Sequence, residues 1–132
     1  MAAWPRTPGD GPVVEFEQLL KISFADSGSK ADVVANLQAA RAWVLEQNEV
    51  NLATARVYIE GRSDFPERAA LNLLAGRFIT DFYVTVARWV EWASDMVAEW
   101  PDDVRDAPFD VEAAEEAEQL AASIPRLLQA SA

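Results

Sequence analysis

The side chains able to do chemistry in this 132-residue chain are almost all carboxylates, because histidine and cysteine are absent. That removes the commonest general base, the commonest transition-metal ligand, thiol catalysis, disulfides and every Ser-His or Cys-His pair. Among the 22 acids three groups invite a chemical reading: Asp81 near Tyr83 and Thr85, then Asp102, Asp103, Asp106 and Asp110, then Glu112, Glu115 and Glu116. Asp81 can act as a base only with a raised pKa, and no pattern around it provides one. A calcium loop returns about six to eight oxygens from a Gly-punctuated turn, and the acidic runs lack that pattern, so they read as solvated surface. Arg56 and Arg62 flank Tyr58 with a spacing that suits an anion, but solvated arginines after a helix look the same. Recognition chemistry lies instead in the aromatics. Trp43, Trp89, Trp92 and Trp100 offer stacking faces to a flat molecule, against the plainer expectation that aromatics at helical spacing form core and interface. The sequence therefore predicts binding or association, with no catalysis, no cofactor and no metal.

Charge narrows the partners. Twenty-two acids against 11 bases give a net charge of -11 and a pI near 4.3, which repels phosphate backbones and anionic lipid. Direct nucleic-acid contact and membrane-surface binding are not expected. A hydrophobic content of 51% with mean hydropathy -0.06 implies one packed domain rather than disorder. No stretch is apolar enough for a membrane span. The N-terminus lacks the basic and apolar regions of a secretory signal. The cytosol is the expected compartment.

The elements that position these residues are helical throughout. Residues 1–12 contain Pro5, Pro8, Gly9, Gly11 and Pro12 and read as a linker or arm. A first helix is expected from Val13 or Val14 to about Phe24, with Phe16, Leu19, Leu20, Ser23 and Phe24 on one stripe. Asp26 to Ser29 breaks it with turn chemistry. Ser29, with Asp32 three positions on, predicts the start of a second helix running to Glu60 and stopped by Gly61. That is about 45 Å of helix at 1.5 Å per residue. Its seam of Leu37, Val44 or Leu45, Leu52 and Ile59 asks for an antiparallel partner helix.

The third helix carries the most information. Asp64 is expected to cap it, Pro66 to sit near its start, and Pro101 to end it after Trp100. Leu71, Leu74, Phe78, Phe82, Trp89, Ala93, Met96 and Trp100 form one stripe. Ile79, Tyr83, Val86, Val90 and Val97 form a second, about 80° further round at 100° per residue. Small residues Gly76, Thr80, Ala87, Ser94 and Ala98 follow. The charged arc is narrow, and on it Arg77 and Asp81 can pair at i,i+4. A helix this apolar has more to bury than two neighbours in one chain can cover, so self-association is expected. After a charged loop, Asp110 is expected to cap an acidic helix from Val111 to about Ser123, with Pro125 kinking or ending it and Leu127-Leu128 free to dock.

The order of these residues is similar to a known family. The block from Glu15 to Lys21, leading into Phe24-Ala25-Asp26-Ser27-Gly28-Ser29-Lys30, resembles the opening of the C-terminal domain of actinobacterial PadR-type transcriptional regulators. Phe65-Pro66-Glu67-Arg68, Asn72, Arg77-Phe78, Asp81-Phe82, Trp89, Trp92-Ala93 and Trp100-Pro101-Asp102 resemble its later helix, and Trp4-Pro5 onward resembles the linker before it. The likeness covers about residues 3–103 and leaves the acidic tail unexplained. It implies a helical domain that dimerises and senses a small, often aromatic, effector, without the winged helix-turn-helix that reads DNA in such regulators.

Together these readings predict an all-α fold. A short helix and a long antiparallel hairpin form a dimeric helical bundle, followed by an acidic C-terminal helix. The expected divisions are a linker over 1–12, a dimerisation and effector domain over 13–100, and an acidic loop and helix over 101–132. Leu71, Leu74, Phe78, Phe82, Val86, Trp89 and Met96 are expected at the dimer interface, and Trp92, Trp89 and Tyr83 at the ligand. Two alternatives stay open: an inhibitory partner that heterodimerises with a full-length PadR regulator, and a small-molecule carrier or enzyme on a recruited regulator scaffold.

Overall fold

The computed structural model describes residues 9, 12, 15–23 and 28–129, and every regular element among them is helical. The expected linker, apart from Gly9 and Pro12, and the helix ends at Val13, Val14 and Phe24 lie outside the described residues. Helix α1 spans Glu17–Ser23. Helix α2, Lys30–Ile59, starts where local chemistry dictates. The Ser29 hydroxyl accepts from the Asp32 amide at 3.3 Å, and the Asp32 carboxylate accepts from the Ser29 amide at 3.0 Å. Two donors of the first turn that have no helical partner are thereby satisfied. Gly61, with φ of 69°, supplies the left-handed turn that stops the helix. Ser29→Ala is expected to cost about 1 kcal/mol, read as a lower denaturant midpoint at unchanged slope.

A single 3-10 turn, Pro66–Arg68, leads into helix α3, Ala69–Ala98. Asp64 does not cap it. No side chain bonds the start of this turn, and the neighbouring Phe65 amide donates to Ser63 Oγ at 3.1 Å. Pro66 at the first position lacks an N–H, so one of the donors that a cap would serve is missing.

α2 and α3 pack antiparallel. Val33 and Leu37 meet Ala93 and Val97, and further along Ala40 and Val44 meet Val86 and Val90. The register continues in polar pairs. Asn51 Nδ2 donates to Thr80 Oγ1 at 3.0 Å, and Asn72 Nδ2 donates to the Tyr58 hydroxyl at 2.6 Å. At the open end Lys30 Nζ donates to the carbonyls of Ala98 and Trp100, both at 2.9 Å, and its amide donates to the Asp102 carbonyl at 3.0 Å. A cation at the carbonyl-rich end of α3 also complements its dipole. Ser29 bridges to Asp103 and Val104 packs on the core, so the packed unit continues through the loop after α3.

Among the described residues all the buried hydrophobics lie in this half of the hairpin, and no residue from 45 to 85 is buried. Within the expected seam Leu37 and Val44 are buried, whereas Leu52 and Ile59 face water. The strip of α3 that meets α2 contains Val86, Val90 and Val97, the second of the two apolar stripes. The first stripe is divided: Phe16 and Ile22 bring α1 and its lead-in against the core at Trp89 and its neighbours, while Leu71, Leu74 and Phe78 stay uncovered.

Helix α4, Val111–Gln129, is capped as expected by Asp110, whose Oδ1 accepts from the Ala113 amide at 3.0 Å. It does not end at Pro125 but runs through it. The proline forfeits one backbone donor, and in the same turn the Ser123 hydroxyl donates to the Leu120 carbonyl at 2.6 Å. No residue of α4 is buried, and Leu120, Ile124, Leu127 and Leu128 lie exposed along it.

Candidate functional site

Where α1 meets the hairpin, five aromatic rings gather. Phe16, just before α1, stands 5.8 Å from Trp89 edge-on and 6.4 Å from Trp43 at a tilt of 40°. Trp43 of α2 meets Phe82 at 6.4 Å and Tyr83 at 5.8 Å, both nearly perpendicular at 83° and 76°. Edge-to-face geometry suits the ring quadrupoles, and each such pair contributes about 0.5–1.5 kcal/mol beyond burial. A cleft of about 190 Å³ opens beside them, lined by Glu15, Phe16, Glu17, Gln18, Trp43 and Phe82. Glu17 pairs with Lys21 at 2.9 Å, and that hydrogen bond, then the ammonium charge, lowers its carboxyl pKa.

Two further grooves run between α2 and α3. One of about 260 Å³ is lined by Val34, Gln38, Arg41, Ser94 and Ala98 over Leu37 and Val90. The other, of about 150 Å³, is lined by Leu45, Asn48, Thr80, Val84 and Ala87 beside Val44 and Tyr83. The stripe of small residues on α3 thus forms the floor and wall of both. Arg41 and Glu91, 3.4 Å apart and well exposed, link the two helices on the surface; such pairs contribute little to stability.

The structure separates the expected site residues. Leu71, Leu74 and Phe78 are exposed and available to a second chain. Phe82 and Met96 are half-buried, and Phe82 already packs on the core cluster. Val86 is not available. It is 4% exposed and packed with Ala40, Val44 and Val90, because it lies on the strip that faces α2. Trp89 is likewise taken up inside the chain, half-buried beneath Phe16 and against both core clusters. Of the expected ligand residues, Tyr83 reaches the aromatic cluster and Trp89 lies at its back, whereas Trp92 is 49% exposed and belongs to neither cleft nor groove. Phe16 and Phe82, not expected at a ligand, line the cleft together with Trp43. Phe82 was expected at the dimer interface, and Phe16 only on the apolar stripe of the first helix.

The acidic residues do not converge. Among the described residues no group of three or more acids is gathered that could hold a metal ion. Asp81 pairs with Arg77 Nε at 3.0 Å, the expected i,i+4 contact. Asp103 accepts from the Arg105 guanidinium at 2.8 and 3.0 Å and from the Arg105 amide at 3.0 Å. These bonds hold its carboxyl at about 2, below the ordinary 3.8. The folded state therefore favours the ionised form, a stabilisation complete above pH 3.8 and lost as pH falls through about 2. NMR titration of the Asp103 carboxyl carbon should find its midpoint near 2, moving upward in Arg105→Ala.

No helix among the described residues is long and apolar enough to cross a membrane. No family model, no curated protein and no solved structure matches this chain. The likeness to PadR-type regulators therefore rests on sequence motifs alone.

Proposed function

We propose that this chain is a dimerisation and small-molecule-sensing module of the PadR-like type. It takes part in transcription regulation in the cytosol by association and ligand binding, not by touching DNA and not by catalysis. One observation carries the reading: the half of the hairpin beyond Val44 and Val86 leaves several large apolar side chains uncovered. Leu71, Leu74 and Phe78 are 69%, 72% and 62% exposed. A standard interface needs only about 800 Å² from each partner.

Burying one such side chain contributes about 1.5–3 kcal/mol. A second copy offering the same face satisfies both chains through one twofold axis. Two hairpins joined along Leu71, Leu74 and Phe78, with Phe82 and Met96 further along the same stripe, make a bundle of four long helices. A homodimer is therefore the expected state, and a full-length PadR-type regulator would be engaged through the same face. The sensing role is supported by the aromatic cleft, which is open to solvent while its rings are held by the hairpin. Light scattering across micromolar concentrations tests the association, with an expected mass near twice 14.6 kDa. A mass of one chain at every concentration overturns it.

A further inference from the structure

The cleft between α1 and the hairpin joins aromatic walls to an acidic rim. Phe16, Trp43 and Phe82 are the walls, and Glu15, Glu17 and Gln18 the rim. Trp43 keeps 37% of its surface exposed although three other rings pack around it. Glu15 makes no ion pair among the described residues, while Glu17 pairs with Lys21 at the exposed surface. A neutral apolar ligand would use the rings and leave the carboxylates without a role. An anion would be repelled by both glutamates and by the net charge of -11. A cation uses everything present. Ring faces attract a positive charge within about 6 Å of their centroids, most strongly for tryptophan, and the carboxylates add direct attraction. The volume of about 190 Å³ lies below the roughly 300–1,000 Å³ of drug-sized pockets, so the ligand is small.

We infer that this cleft binds a small organic cation of the quaternary-ammonium class, with Trp43 and Phe82 as its aromatic faces and Glu15 and Glu17 as counter-charges. The assignment names the ligand class for the sensing half of the proposed function and rests on that reading for its purpose. Choline and its uncharged isostere 3,3-dimethylbutan-1-ol are the probes, each titrated into the full chain. Binding is followed by NMR shifts of the Trp43 indole N–H and the Gln18 amide. Choline should bind at least tenfold tighter than the alcohol, and added salt should narrow the difference. Trp43→Leu should abolish choline binding as read at Gln18. Glu15→Gln with Glu17→Gln should remove most of the preference without touching a ring. Both changes lie at the surface, and far-UV circular dichroism checks that the helices persist.

Equal affinity for the two probes overturns the assignment, as does choline binding that neither variant weakens. Loss of the site with a dimeric mass retained would refute the ligand class alone. A constant monomer that still prefers choline would refute the association and leave the cleft as assigned.

Discussion

Leu74→Glu combined with Phe78→Glu is expected to halve the solution mass, from near twice 14.6 kDa to 14.6 kDa, with helix content unchanged. Both side chains are mostly exposed within the chain, and neither belongs to the clusters that join α2 to α3. The monomer therefore loses no core contact. In the dimer the same change removes two apolar anchors from each chain, at about 1.5–3 kcal/mol for each side chain. It also brings four carboxylates onto one interface, where desolvating an unpaired charge costs several kcal/mol more. With about 1.4 kcal/mol for each factor of ten, affinity should fall by at least a thousandfold. Sedimentation or light scattering reads the mass, and circular dichroism the helix. A double variant that remains dimeric would place the interface elsewhere, on the grooved face between α2 and α3 or on α4.

The second large effect lies at the other end of the hairpin. Leu37→Ala should destabilise the fold by about 2–5 kcal/mol, a large share of the roughly 5–15 kcal/mol that holds a domain together. Leu37 and Val33 are the largest fully buried side chains, each 2% exposed, and both pack with Ala93 and Val97. Val33, Ala93 and Val97 pack with Leu37 in one cluster, so truncation removes contacts on both helices and leaves a cavity at their seam. Leu73→Ala, at a position 71% exposed, should change monomer stability by no more than about 0.5 kcal/mol. Both are best measured in the Leu74→Glu, Phe78→Glu background, where association does not add to apparent stability. Urea denaturation gives the comparison. Similar costs at the two positions would mean that the core is not confined to the half containing Leu37.

These predictions divide the hairpin into a half that holds the fold and a half that meets a partner. Helical periodicity alone does not draw that division. Leu37, Val44, Leu52 and Ile59 share one seam in the sequence, yet the first two are buried and the last two exposed. On α3 the stripe richest in leucine and phenylalanine was expected at the dimer interface, together with Val86 of the neighbouring strip. The structure turns the neighbouring valine strip toward α2 instead, which is why Val86 leaves the interface. The deciding contacts come from the lead-in to α1. Phe16 settles against Trp43 and Trp89, more than twenty-five positions away in sequence, and covers part of the stripe while Leu71, Leu74 and Phe78 remain bare.

The aromatic cleft was legible only in part, for the same reason. Tyr83 and Trp89 were marked by their chemistry and do reach the aromatic cluster, but Trp92, marked by its position beside the charged arc, does not. A wheel of one helix gives angles around its axis and says nothing about which neighbour occupies each angle. Phe16 and Phe82 become cleft walls only when three separate segments meet.

By itself the sequence determined the all-α class, the absence of histidine and cysteine chemistry, the acidic charge, and those helix limits set within a few residues. Ser29 with Asp32, Gly61 and Asp110 act through hydrogen bonds and backbone angles of their own turns, so no distant partner is needed to place them. Asp64 and Pro125 show where such local rules give way. Pro66 removes one of the donors that a cap would serve, and α4 continues through its proline with a side-chain hydrogen bond in the same turn. The tertiary structure alone decided which stripe of α3 is core, which half of the hairpin stays bare, and which rings enclose the cleft. Those outcomes depend on how two long helices and a short one share their faces, and burial scales with apolar area without direction, so it selects no face until that arrangement exists.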